Sequence, residues 1–260
     1  MDNRSYIHSV KVLIPVYKRE LSALEKRSLQ QAYTVLKAYP LIIIKPESLD
    51  ISQLIENFPL INYQSFDDAF FSGIEGYNKL MLSTLFYERF LDTQYMLIYQ
   101  LDAYVFKDEL TEWCNCGYDY IGAPWLKKPL YDLPVVSWMM KCSLKYHACK
   151  GSPSKQMLYN KVGNGGFSLR KIKSHYQAIG KYETEINYYL SQKRCHLFNE
   201  DVFWATRPEF SYPDVTEALR FAFDKYPRLS YKRTNGELPF GCHSWYKRKM
   251  KQFWKPVIKF

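Results

Sequence analysis

The first 106 residues alternate apolar runs of strand length with stretches of helical periodicity, and this alternation constrains the fold more than any other feature of the chain. Val10-Lys-Val-Leu-Ile-Pro-Val-Tyr17 is a short β-rich run. Over residues 21–39, Leu21, Leu24, Ser28, Ala32, Val35 and Leu36 keep to one helical stripe, which Pro40 stops before a second buried strand, Leu41-Ile-Ile-Ile44. A short helix is predicted around Ile51, Leu54, Ile55 and Phe58, and a third strand over 61–66. Helical spacing over 73–91 then delivers the chain into a fourth apolar run, residues 95–106. Four such alternations specify an α/β architecture: a parallel sheet wound by right-handed crossovers. With 260 residues and neither a repeat nor a linker, the chain reads as one domain, 1–260.

The pattern loosens after position 106. A strand is predicted within 118–125, loops and short helices over 127–161, strand character over 162–170, and helices over 172–190 and 201–206. A loop then leads to Leu238-Pro-Phe-Gly-Cys-His243.

The fourth run, Tyr95-Met-Leu-Ile-Tyr-Gln-Leu-Asp102-Ala-Tyr-Val-Phe106, plants one carboxylate at the end of an otherwise buried strand. An ionised aspartate there needs hydrogen bonds, a cation or a ligand, because burying it unpaired costs several kcal/mol or more. Asp102 therefore either caps a neighbouring loop or faces a ligand in the crevice at the carboxyl ends of the strands.

The six cysteines show no CxxC pairing and read as reduced thiols. No N-terminal segment has a signal peptide's apolar core, and no run approaches the roughly 18 apolar residues of a membrane span, so a cytoplasmic protein is expected. The net charge of +10 is unevenly placed: nothing after Glu237 is acidic, while Lys247, Arg248, Lys249, Lys251, Lys255 and Lys259 crowd the end. Trp245, Tyr246, Phe253, Trp254 and Phe260 lie among them. The segment 245–260 thus fits either an interfacial anchor on the anionic inner face of a membrane or a tail whose rings pack on the domain. No RNA- or DNA-binding module accompanies the charge, and a nucleic-acid partner is not expected.

Three further patterns could carry chemistry. Val162-Gly-Asn-Gly-Gly-Phe-Ser-Leu-Arg170 packs glycines into a strand-like run, reading as a bulge or as backbone that something, such as a sugar, approaches closely. Asn199-Glu-Asp201 is either a helix start with acids at the positive dipole end or the source of a general base. His243 reads as a metal ligand, a diphosphate contact or a structural histidine. Lys79 reads as a surface lysine or a phosphate contact.

Taken in order, Leu13-Ile-Pro-Val-Tyr17, Tyr77-Asn-Lys79, Gln100-Leu-Asp102, Asn164-Gly-Gly-Phe-Ser-Leu-Arg170, Asn199-Glu-Asp201 and Phe240-Gly-Cys-His243 resemble bacterial glycosyltransferases of the GT-A fold. More narrowly, the set resembles an uncharacterised glycosyltransferase-like family of surface-polysaccharide loci, such as those for capsule or O-antigen. The resemblance implies a GT-A-like (Rossmann-like), mixed, mostly parallel central sheet flanked by helices. It implies a nucleotide-sugar donor, with UDP as the expected nucleotide, lying against Pro15, Val16 and Tyr17. Lys79, Gln100, Asp102, Tyr104, Asn164, Gly165 and Gly166 would complete the donor site.

Asp102 would occupy the place of the family's Asp-x-Asp motif, which holds a divalent cation, Mn2+ or Mg2+. The third position of that motif is Tyr104 here, so His243 becomes the candidate second ligand, or a basic side chain such as Lys79 replaces the metal. Asp201, then Glu200, would be the base that deprotonates a hydroxyl of a lipid-linked or polysaccharide acceptor, with inversion at the anomeric carbon. The departure at Tyr104 also admits a catalytically idle module that binds nucleotide sugar or glycan.

Overall fold

The computed structural model describes residues 10–192 and 195–259. Strand β1 (Val10–Pro15) is followed by helix α1 (Ala23–Val35), β2 (Leu41–Pro46), α2 (Ser52–Asn57) and β3 (Ile61–Phe66). A reciprocal cap starts α1: the Ser22 hydroxyl accepts from the Glu25 amide, and the Glu25 carboxylate accepts from the Ser22 amide at 2.8 Å. Each bond satisfies a backbone donor that the first helical turn leaves open. The single helix expected over 73–91 is two, α3 (Gly73–Met81) and α4 (Thr84–Glu88), because the Ser83 hydroxyl accepts from the Phe86 amide and begins a new turn.

The run 95–106 is also divided. Strand β4 (Tyr95–Tyr99) ends at a turn in which the Ala103 amide donates to the Gln100 carbonyl, and β5 (Ala103–Val105) leaves in another sheet. Helix α5 (Leu110–Asn115) and β6 (Tyr120–Gly122) follow. The span read as loops and short helices instead holds α6 (Pro134–Cys149), sixteen residues long. Strand β7 (Phe167–Lys171) leads to α7 (Ile172–Lys181), α8 (Glu183–Ser191) and α9 (Glu200–Trp204). The expected loop before His243 contains α10 (Val215–Phe221), β8 (Ala222–Phe223) and α11 (Pro227–Arg233), ahead of β9 (Gly241–His243) and α12 (Arg248–Trp254).

The main sheet has the order β3-β2-β1-β4-β7-β6. Its first four strands run parallel, and β7 pairs antiparallel with both β4 and β6. Side chains alternate across it, Val12, Ile14, Leu97 and Tyr99 entering one core with Leu29 and Ala32, and Leu13, Met96 and Ile98 entering the other with Leu80, Phe86 and Trp204. Burial on both faces explains why these strands read as continuous apolar runs.

The small sheet, β5-β9-β8, stands beside the carboxyl end of β4 and sets Ala103 opposite His243. A third core closes over it, formed by Phe223, Cys242, Trp245, Trp254 and Ile258. Trp245 and Trp254 are fully buried, and Tyr246 and Phe253 pack against the same cluster. Trp245 and Trp254 are thus committed to the interior, with Tyr246 and Phe253 half-buried against them, as in the reading of a tail whose rings pack on the domain; Phe260 lies outside the described residues. Among the described residues no helix is long and apolar enough to cross a membrane.

Candidate active site

Asp102 follows β4 in the turn that hands the chain to β5, and its carboxylate is 16% exposed. Two cations hold it. His243 Nε2 lies 2.8 Å from Oδ1 and Lys247 Nζ lies 3.0 Å from Oδ2. Both arrive because β9 pairs with β5 and the chain then turns into α12. On its other side, His243 Nδ1 lies 3.3 Å from the buried carboxylate of Asp224. Burial works to raise the Asp102 carboxyl, but His243 and Lys247 outweigh it and hold the group well below the usual carboxylate range. Burial alone would depress the imidazole, yet the flanking Asp102 and Asp224 lift it to about 9.

The glycine-rich turn connects this cluster to a second one. Asn164 adopts φ 65°, and its side-chain oxygen accepts from the Gly166 amide at 3.2 Å. A Cβ on Gly165 would stand 2.2 Å from Glu200 Oε1, and one on Gly166 would stand 2.2 Å from His243 Nε2. The close approach inferred from the sequence is real, but the approaching groups are the protein's own side chains on the two sides of the turn.

Beyond the turn, Arg170 of β7 is fully buried and meets Glu200 twice, Nη2 donating to Oε1 at 3.1 Å and Nη1 standing 3.0 Å from Oε2. Its Nε donates to the Ser168 hydroxyl and its Nη1 to the Tyr87 hydroxyl. Asn78 of α3 accepts from the Glu200 amide and donates to the Asn199 side chain, so Asn199 occupies the cap position without capping α9 itself. Asp201 accepts from the Val202 amide at 2.8 Å. Burial and the neighbouring Glu200 push its carboxyl up to about 7.

One cleft of about 530 Å³ joins the clusters, with Tyr17, Gln100, Asn164, Gly165, Gly166, Glu200, Asp201, His243 and Lys247 all on its wall. Pro15, Val16, Tyr17, Gln100, Asp102 and Tyr246 line a groove that continues from it over the end of β1. Another groove, walled by Trp125, Tyr131, Lys155, Tyr159 and Tyr226, also opens onto Asn199 and Asp201.

Two of the sequence's candidates lie off the cleft wall. Lys79 sits on the exposed side of α3, away from the cleft wall where its neighbours Tyr77 and Asn78 appear. Tyr104 turns from Asp102 to pack edge-on against Trp245 at 5.6 Å, since its position in β5 belongs to the third core. The sequence reading also missed Lys247, Tyr246, Asp224 and Arg170. Lys247 was hidden in a basic tail, although it lies four residues after the His243 that the motifs singled out. For Arg170 the only signal was a charge closing a buried strand.

The family described as protein of unknown function (DUF5672) matches residues 60–243, a span that holds Asp102, the glycine turn, Arg170, Asp201 and His243. The chain belongs to this family. No curated protein matches this DUF5672 member. Among solved structures it is similar to the galactosyltransferase LgtC in complex with donor and acceptor sugar analogues, at 11% identity and TM-score 0.54, covering 96% of this chain and 97% of that one. It is likewise similar to mouse xyloside xylosyltransferase 1 at 15% identity and TM-score 0.51, covering 90% and 96%. The glycosyltransferase GlyE of Streptococcus pneumoniae matches at 11% identity and TM-score 0.52, over 96% of this chain and 60% of that one. The DUF5672 chain therefore has the fold of GT-A glycosyltransferases: a mixed, mostly parallel central sheet flanked by helices.

Proposed function

We propose that this chain is a glycosyltransferase that moves a sugar from a nucleotide-sugar donor, UDP-linked, to a hydroxyl of a lipid-linked or polysaccharide acceptor in surface-glycan synthesis. One observation carries the reading: Asp201, the closely packed glycine turn, His243 and Lys247 share the wall of one cleft at the carboxyl end of the parallel strands, with Asp102 on the groove that continues from it. That is where open α/β sheets bind ligands.

In this reading Pro15, Val16, Tyr17 and Tyr246 receive the nucleoside, and Lys247 stabilises charge on the diphosphate. Gln100, Asn164, Gly165 and Gly166 hold the donor sugar. Asp102 Oδ1 and His243 Nε2 face each other as a pair of metal ligands would, and Asp224 orients the imidazole through Nδ1 as an outer-shell carboxylate does. Among the described residues no group of three His, Cys, Asp or Glu side chains is placed to hold a metal, so a divalent cation, Mn2+ or Mg2+, would have only Asp102 and His243 from the protein and would take its other ligands from phosphate and water. When bound, it would neutralise charge on the leaving diphosphate.

Asp201 takes the proton of the acceptor hydroxyl, which lies in the aromatic groove that opens beside it. The acceptor oxygen bonds to the anomeric carbon as the bond to phosphate breaks and the diphosphate leaves with its electron pair. Attack from the side opposite the diphosphate inverts the anomeric centre. Glu200, bound up with Arg170, positions the helix start that carries Asp201 and leaves the role of base to its neighbour.

Incubating the full chain with UDP-sugars, with and without manganese, tests the proposal through UDP release. No binding and no hydrolysis under either condition would sink it. Binding without turnover, unchanged in Asp201→Asn, would instead support the idle module that the tyrosine at position 104 also admits.

A further inference from the structure

Helix α6 is the longest helix among the described residues, yet none of its residues is buried. Seven of the 18 large hydrophobic side chains that stand exposed among the described residues fall between positions 130 and 146. Val135 is 71% exposed, Trp138 66%, Met139 59% and Tyr146 56%, and at helical pitch these four share the outward side. The inward side, where Val136, Ser137, Met140 and His147 are half-buried, mixes apolar and polar groups. An exposed apolar stripe of this size is ordinarily covered by protein or lipid.

Charge indicates which. Lys141 and Lys145 border the outward side, Lys150 and Lys155 follow it, and no Asp or Glu occurs between Asp132 and Glu183. A second copy docking face to face would set lysine against lysine, whereas an anionic bilayer offers phosphates to the lysines and acyl chains to the rings. The location agrees. Tyr131 before α6, and Lys155 and Tyr159 after it, wall the groove that opens onto Asp201, so a surface touched by α6 lies beside that mouth.

We propose that α6 seats the protein on an anionic lipid surface, with Trp138 and Met139 inserted at headgroup depth and Lys141 and Lys145 on the phosphates. Lipid attachment through α6 stands apart from sugar transfer, and its test reads binding alone.

The full chain is mixed with vesicles of phosphatidylcholine, with or without phosphatidylglycerol, and sedimented. Attachment is expected only to the anionic vesicles, with a blue shift of the tryptophan emission and its quenching by brominated acyl chains, both lost in Trp138→Phe. Trp138→Ser with Met139→Ser should weaken partitioning by roughly tenfold or more, and Lys141→Glu with Lys145→Glu should abolish it, with melting temperatures unchanged. Absence of vesicle binding in the wild-type chain, binding that survives both double variants, or a concentration-dependent dimer that the serine variant dissolves would each overturn the proposal. Quenching is read on the wild-type chain, so a variant that fails to fold leaves the test intact.

Discussion

Asp201 is the residue whose environment says most about its task. A carboxyl at about 7 can take a proton near neutral pH, where one at its ordinary 3.8 is a weak base. Activity is expected to rise with pH through about 7, and Asp201→Asn should lower kcat by about 10²–10⁴-fold while donor binding persists, as read by steady-state kinetics and titration with UDP-sugar. The same shift governs stability. The folded state keeps this proton up to about pH 7 and the unfolded chain releases it near 3.8, so the folded state loses ground as pH rises between the two. Asp201→Asn should therefore raise the melting temperature at pH 8 and leave it nearly unchanged at pH 4. Arg170 works in the opposite sense: Arg170→Met would strand the buried Glu200 carboxylate and cost about 3–5 kcal/mol in denaturant unfolding.

At the scale of elements, the glycine turn is the join. Gly165→Ala would drive a methyl into Glu200, displacing the Arg170 pair and lowering stability by about 1–3 kcal/mol in a urea titration. Strands β1, β2 and β4 were legible in the sequence because burial on both faces makes them almost uniformly apolar, β3 at the sheet edge kept only Ile61 and Phe66 buried, and α1 was legible from its stripe. What escaped depended on partners far along the chain. The run 95–106 carries no local mark of its break, because the break comes from β5 pairing with β9, some 140 residues later. Tyr104 was assigned to the donor for the same reason: only that pairing shows it turning to Trp245. Asp102, Asp201, the glycines and His243 were readable as chemistry out of place in apolar context. Their counter-charges, Asp224 and Lys247, sit in stretches where charge is ordinary and gave no such contrast. Helix α6 was read as loops because its apolar residues do not gather on one side.

For the molecule as a whole, three cores share the load, and the last is closed by the C-terminal residues. Removing residues 246–260 would strip Trp254 and Ile258 from the third core, so the truncated chain should melt at a lower temperature, where loss of a solvated tail would leave the transition in place. Asp102 belongs to the first half of the chain, while the two cations that hold it, His243 and Lys247, lie within the last eighteen residues. Without those two side chains the Asp102 carboxylate would stand in its groove with neither cation beside it. The sign of charge at this end of the groove therefore rests on a pairing between β5 and β9, two segments far apart along the chain.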